Sequence, residues 1–246
     1  LITLNDERYQ LLEKSGVDYL VVLPFNEDIA RRSFKQFMDD FLIAKFNVKY
    51  LLVGHDHHFG CDRINGFAQY KQYGEEKGVE VEREEPFKIK DDVISSSFIR
   101  RNILAGDVEK AAEALGYDYF LEGTVMPGYK MGRTIGYPTA NLAISDVRKL
   151  LPSAGVYIAT VNIEGDEKVY TSMLYIGSRP TFVNMSESKS IEVHMFDFNE
   201  EIYHKKIRIN LKKFFREELH FDNPSKLATQ LNKDKQAIKD WFAKKK

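Results

Sequence analysis

A single cysteine, Cys61, stands among 246 residues, which excludes an internal disulfide framework and fits a reducing, cytoplasmic compartment. Long apolar runs are missing too. The longest, Tyr19-Leu20-Val21-Val22-Leu23-Pro24-Phe25, falls well below the roughly 20 residues a spanning helix needs, so no membrane is expected. The start has no charged-then-apolar signal pattern. Nor is there an excess of one charge: 36 Lys and Arg face 37 Asp and Glu, a formal net charge of -1. That balance, a pI near 6.7 and the lack of an aromatic-basic stripe argue against a nucleic-acid partner. No repeat recurs, and the only low-complexity stretch is Lys244-Lys245-Lys246, read as a solvated end. The chain opens on Leu1 rather than Met, inside a helix-like segment, so an upstream piece is expected.

What is present is ordinary globular material. Hydrophobic residues make up 43% and charged ones 30%, enough to bury a core in one large or two small domains. Helical patterning is expected over Asn5 to Lys14, with Leu11 and Leu12 inward, and over Glu27 to Phe46. Tyr19 to Leu23 reads as a strand buried on both faces, Tyr50 to Val53 as a second buried strand and Val79 to Val81 as a third strand. Strand, helix, strand in this order predicts parallel α/β structure. Ile94-Ser95-Ser96-Ser97 marks a helix start, and Asp107 caps a second helix that closes at Gly116. From Gly123 to Leu211 short alternating strands follow, punctuated by Gly, Pro, Asn and Ser, which predicts an antiparallel β-barrel or sandwich. A helix from Ser225 to Trp241 closes the chain, with Leu227, Leu231, Ile238 and Phe242 on one stripe. Two domains are expected, residues 1–118 and 119–246.

Four segments carry candidate chemistry. In the run from Gly123 to Leu142, Gly128, Gly132 and Gly136 recur every fourth residue and could bring backbone amides close to a ligand. Lys130 and Arg133 supply charge that phosphate oxygens would pair with, and Thr139 and Asn141 share one face of an extended segment. A hydroxyl beside phosphate oxygens suits a hydrated Mg²⁺, although tight turns around a strand explain the glycines equally well. In Ile191 to Phe198, alternation puts Glu192, His194 and Phe196 on one face, where Glu192 is a candidate general base and a polar outer face is the plainer reading. Gly54-His55-Asp56-His57-His58-Phe59-Gly60 follows a strand, where small-molecule loops sit in open sheets, and its spacing does not match a zinc pair. Ser95, Ser96 and Arg100 offer hydroxyls and a cation at a helix start, an anion site or a plain cap.

Together, in this order, these segments resemble the bifunctional riboflavin kinase/FMN adenylyltransferase (FAD synthetase) family. The likeness includes Leu23-Pro24-Phe25-Asn26, Val53-Gly54-His55-Asp56, Phe59-Gly60, and Ser95-Ser96-Ser97 with Arg100. It continues through the glycine run to Pro138-Thr139-Ala140-Asn141, then Gly155-Val156-Tyr157, Ile176-Gly177-Ser178-Arg179-Pro180-Thr181-Phe182 and Glu192-Val193-His194, ending with Phe215-Arg216-Glu217-Glu218 and Asp234. The resemblance implies a β-barrel kinase module, residues 119–246, that moves the γ-phosphate of MgATP to riboflavin and gives FMN. Thr139 and Asn141 would hold Mg²⁺ and phosphates, Gly128 to Gly136 would cover the nucleotide, and Glu192 would be the catalytic base. The helix from Asn223 would close over the flavin, with Arg216 among the flavin contacts. Residues 1–118 are similar to the adenylyltransferase module, with Ser95, Ser96 and Arg100 on the nucleotide and Asp56 and Phe59 near the flavin. The family's first strand and histidine loop would lie upstream of Leu1, so FMN but no FAD is expected from these residues. Ser97, Tyr175 and His204 depart from the family pattern, which usually has Thr, Asn and Gly there. A non-catalytic flavin- or nucleotide-binding homologue is the alternative expectation.

Overall fold

The computed structural model describes residues 1–62, 66–128, 131–178 and 189–245. They form two compact units, Gln10–Ile94 and Leu1–Tyr9 with Ser95–Lys246. The first helix, α1 (Asn5–Lys14), carries the only acidic side chain it buries, Glu7.

In the unit Gln10–Ile94, the expected long helix is broken into α2 (Glu27–Ala30), α3 (Phe34–Phe37) and a π-helical stretch, Met38–Ile43. The break has a local cause. Ser33 and Gln36 form a reciprocal capping box, which restarts the helix after Arg31. Phe34 and Met38 still pack inward as the helical spacing demanded, against Val53, Tyr70 and Val81. Strand β1 (Tyr50–Val53), helix α4 (Phe67–Lys77) and strand β2 (Glu80–Arg83) make a βαβ unit whose strands pair in parallel, Tyr50 opposite Glu80. A small hairpin of β3 (Lys88–Ile89) and β4 (Asp92–Val93) follows. The strand expected over Tyr19 to Leu23 is corrected: the run is irregular, with Tyr19 91% and Phe25 82% exposed. A strand buried on both faces needs neighbours in a sheet, and among the described residues none pairs with it.

After Leu1–Tyr9, the other unit continues with α5 (Ser96–Ala105), capped by the Ser95 side chain, and α6 (Val108–Leu115), capped by Asp107 and closed by left-handed Gly116. Six strands then close into an antiparallel barrel. They are β5 (Phe120–Met126), β6 (Ala140–Ala143), β7 (Gly155–Ile163), β8 (Val169–Ser178), β9 (Lys189–Met195) and β10 (Lys206–Arg216). Their order around the barrel is β10-β5-β6-β9-β8-β7, and β7 pairs with β10 to close it. A short helix, α7 (Met131–Thr134), lies between β5 and β6, and α8 (Pro224–Ala243) follows the barrel.

β7 is buried on both faces because α8 covers its outer side. There Val156 and Ile158 join Met173, Phe196 and Ile238, with Leu231, Trp241 and Phe242 against them. Burying such side chains contributes about 1.5–3 kcal/mol each, which fixes α8 to the barrel wall. β10 has register shifts after Leu211 and Phe214, bulges that let an eleven-residue strand bend around the barrel and set Arg216 opposite Val156.

Candidate active site

Cross-strand register assembles the site. Asn141 on β6 stands opposite Glu192 on β9, Glu192 opposite Tyr175 on β8, Tyr175 opposite Val156 on β7, and Val156 opposite Arg216 on β10. Residues directly opposite in a ladder share a face, and Val156 packs beneath α8, so this row lies on the outer barrel wall. Asn141, Glu192, Tyr175 and Arg216, far apart in sequence, thus come to stand in one row.

The glycine run serves this row. Gly136 adopts φ +82°, which a side chain would resist, in a turn where the Tyr137 amide donates to the Gly132 carbonyl at 2.7 Å. A Cβ on Gly128 would fall 2.2 Å from the Asn141 amide nitrogen, so glycine lets the loop close onto that side chain. Lys130 lies outside the described residues, as do Arg179 to Phe182 of the sequence motif.

Two cavities meet at Thr139. The larger, about 570 Å³, is bordered by Tyr137, Tyr175, Glu192, His194, Arg216 and Leu231. The smaller, about 360 Å³, is bordered by Arg133, Phe198, Asn199, Glu200 and Tyr203. Thr139 lines both, and its Oγ1 donates to Glu192 Oε2 at 3.2 Å. Arg133 donates to the Tyr203 hydroxyl at 3.4 Å.

The wall of the larger cavity is tied to the barrel by long-range polar contacts. Arg216 donates through Nε and Nη2 to buried Asp234 at 3.0 and 2.7 Å, and Gln230 donates to the other Asp234 oxygen at 2.8 Å. The Tyr175 hydroxyl meets Glu218, and burial together with that carboxylate pushes its pKa upward. The Tyr137 hydroxyl meets Asn232 on α8. Tyr137, Asp234 and the Tyr175–Glu218 pair are site members that residue-type reasoning did not select, since each partner lies well away in sequence. His204, where the family pattern usually has Gly, takes φ +65° while its amide donates to the Val125 carbonyl at 2.9 Å. The position calls for the left-handed region, which explains a preference for glycine there.

Two family models match: riboflavin kinase over residues 115–242 and FAD synthetase over residues 1–98. The Bacillus subtilis bifunctional riboflavin kinase/FMN adenylyltransferase is 37% identical over 99% of this chain and 76% of its own. The chain belongs to the bifunctional riboflavin kinase/FMN adenylyltransferase family. Relatives of the same name from Listeria monocytogenes and Escherichia coli K12 are 35% and 31% identical over 99% and 96% of this chain, and 76% and 74% of their own. A crystal structure from Streptococcus pneumoniae, described as a macrolide-efflux protein, superposes with a TM-score of 0.88 at 33% identity, over 98% of this chain and 76% of its own. Among the described residues no helix is long and apolar enough to cross a membrane.

None of the remaining candidates lines either cavity. Ser95 spends its hydroxyl on the Phe98 amide as a helix cap, Ser96 opens α5, and Arg100 is exposed one turn further on. In the other unit, Asp56 is exposed and Phe59 stacks on Tyr70 with ring centres 4.4 Å apart. Tyr70 also brackets the Phe59 backbone, receiving its N–H at 3.2 Å and donating to its carbonyl at 3.1 Å, so the loop after β1 has a fixed shape. Among the described residues no three His, Cys, Asp or Glu side chains converge as a metal cluster.

Proposed function

We propose that the barrel transfers the γ-phosphoryl group of MgATP to the 5′-hydroxyl of riboflavin, giving FMN and ADP. The observation that carries this reading is the Thr139–Glu192 contact at the seam of the two cavities. The larger cavity takes riboflavin, with the Arg216–Asp234 pair holding α8 against it. The smaller takes nucleotide beside Arg133, under the Gly128 to Gly136 loop, with Lys130 on the phosphates. Glu192 accepts the hydroxyl proton as the oxygen bonds to phosphorus and the β,γ-bridging bond breaks. Phosphoryl transfer needs mostly positioning and charge neutralisation, which a hydroxyl, an amide and two cations can give.

The donor set fits magnesium. Thr139 and Asn141 offer hard, neutral oxygens, and Glu192 adds a carboxylate within reach of the same hydroxyl. When bound, Mg²⁺ would neutralise phosphate charge, and Thr139 and Asn141 would hold it with the nucleotide.

For the segment before the barrel we propose nucleotide and FMN contacts in an adenylyl transfer, through Ser95, Ser96, Arg100, Asp56 and Phe59. The FAD synthetase match over residues 1–98 supports this, as does the fixed loop at the carboxyl end of β1. A functional division at 118/119 is supported by the kinase model starting at residue 115, although the packing units part at 94/95. Free, exposed Cys61 supports a cytoplasmic location.

The test is steady-state conversion of riboflavin to FMN with MgATP, together with Asn141→Ala. That substitution is expected to weaken MgATP binding roughly 10–100-fold while riboflavin affinity, read by flavin fluorescence, changes little. Equal losses for both ligands would mean a folding defect and would count against the metal-phosphate role.

A further inference from the structure

His194 has a position that neither general-base chemistry nor simple packing explains. It sits on β9 two residues beyond Glu192, only 6% exposed, between the rings of Tyr137 and Phe196. Its Nδ1 lies 2.8 Å from the Pro138 carbonyl oxygen. A carbonyl only accepts, so Nδ1 carries the proton and the neutral ring keeps its lone pair on Nε2. Nε2 is buried with no hydrogen-bond partner. Burial pushes the His194 pKa below its ordinary value, and Lys235 and Lys239 on α8 press the same way against Asp197 and the Pro138 carbonyl. Neither nitrogen can therefore collect a substrate proton: one already donates, and the other is sealed from solvent.

The ladder geometry shows what the bond to Pro138 does. β6 and β9 pair over just two positions, Ala140 with Val193 and Asn141 with Glu192. Extending that antiparallel register puts His194 opposite Thr139, where the backbone ladder has already ended. Pro138 has no N–H, and its carbonyl is held by the His194 side chain instead of by a strand. β9 thus grips the end of β6 twice: Glu192 takes the Thr139 hydroxyl and His194 takes the carbonyl one residue before it.

We propose that His194 is a positioning residue that fixes Thr139 through the Pro138 carbonyl and so sets the MgATP side of the reaction. This rests on the kinase reading and extends it. The donor, rather than the ring, carries the effect. A histidine that merely filled space would be replaced best by another ring.

Two substitutions separate these properties. His194→Phe keeps an aromatic ring between Tyr137 and Phe196 but has no donor. His194→Asn loses the ring but places an amide N–H close to where Nδ1 stands. With MgADP as the probe in calorimetry, His194→Phe is expected to weaken binding roughly 10–100-fold, the range found when a group orienting a metal-site residue is lost. KM for MgATP should rise in step, and by more than KM for riboflavin, whose cavity His194 also borders, and His194→Asn should recover most of that loss. Nucleotide affinity at the wild-type level in His194→Phe, or a loss in His194→Asn as large as in His194→Phe at matched thermal stability, would overturn the proposal. A measurement on the unsubstituted protein covers the case in which His194→Asn does not fold. Nitrogen-15 NMR of the histidine rings is expected to show His194 as the Nδ1–H tautomer, with a resonance that moves when MgADP binds in the absence of riboflavin. An Nε2–H tautomer, or indifference to MgADP, would also overturn it. Wild-type turnover of riboflavin decides the kinase reading separately, and MgADP affinity across the variants decides the role of His194 whichever way that falls.

Discussion

Glu192→Gln is expected to lower kcat by about 10²–10⁴-fold while riboflavin and MgATP still bind, the usual worth of a positioned base. Glutamine has the same length and keeps one acceptor oxygen, so the Thr139 hydroxyl retains a partner and the β6–β9 seam survives. What disappears is a group that can accept the proton of the riboflavin 5′-hydroxyl. The residue is half-buried on the outer barrel wall, away from the interior that Ile191 and Val193 fill, so thermal stability should scarcely move. A largely dissociative phosphoryl transition state asks less of a base, which places the effect toward the lower end of the range. The measurement is steady-state FMN formation with both KM values and a melting curve. A kcat within about tenfold of wild type would remove Glu192 as the base, and a kcat loss accompanied by equal losses in both affinities would point to a damaged cavity instead.

The face shared by Glu192 and His194 was legible from strand alternation, and the separate partners of the two side chains, Thr139 and the Pro138 carbonyl, were not. Alternation reports which residues lie on one side of a strand, but what covers that side depends on α8, which arrives from more than 20 residues further on. Caps were read well for the same reason that they form: Ser95, Asp107 and Gly116 act within one turn, and sequence neighbours decide them. The helix over Glu27 to Phe46 was read too long, although the Ser33-x-x-Gln36 capping box that divides it is a local signal. Tyr19 to Leu23 shows the limit of composition. An apolar run says that a segment would pack between strands if they flanked it, and it holds no information about whether they do. The glycines of the Gly128 to Gly136 loop were found by spacing, yet Gly128 and Gly136 are there for separate reasons: contact with Asn141 and a left-handed turn. The Arg216–Asp234 and Tyr137–Asn232 contacts join residues 18 and 95 positions apart, which no local pattern anticipates.

Lys149→Met is expected to produce the largest stability loss, by a route the sequence gives no hint of. Glu7, 2% exposed, and Lys149, 5% exposed, form an ion pair at 2.7 Å across 142 residues of chain. Glu7 Oε2 also accepts the Leu4 amide at 2.7 Å, while its Oε1 is buried without a partner. The Lys149 ammonium donates to the Ile2 carbonyl at 2.9 Å and stands over the rings of Tyr119 and Phe120, 4.8 and 4.9 Å from their centres. Burial draws the Lys149 pKa down, opposed by the hydrogen bond and charge of Glu7. With the Leu150 amide bonded to the Leu1 carbonyl at 2.8 Å, this pair fastens residues 1–9 to the barrel unit. A buried pair adds little net stability over apolar side chains of similar volume, but removing one partner strands the other charge at a cost of about 3–5 kcal/mol. For a unit of this size that corresponds to a fall in Tm of roughly 6–20 °C. The double replacement Glu7→Leu with Lys149→Met should regain part of the loss, because no charge is left stranded, but not all, because the Leu4 amide and Ile2 carbonyl lose their partners. Neither residue borders the two cavities, so kcat measured well below the melting transition should hold. Thermal melts of the wild type, both single variants and the double variant check this. A double variant less stable than Lys149→Met alone would show that the cost comes from lost packing rather than from a stranded charge.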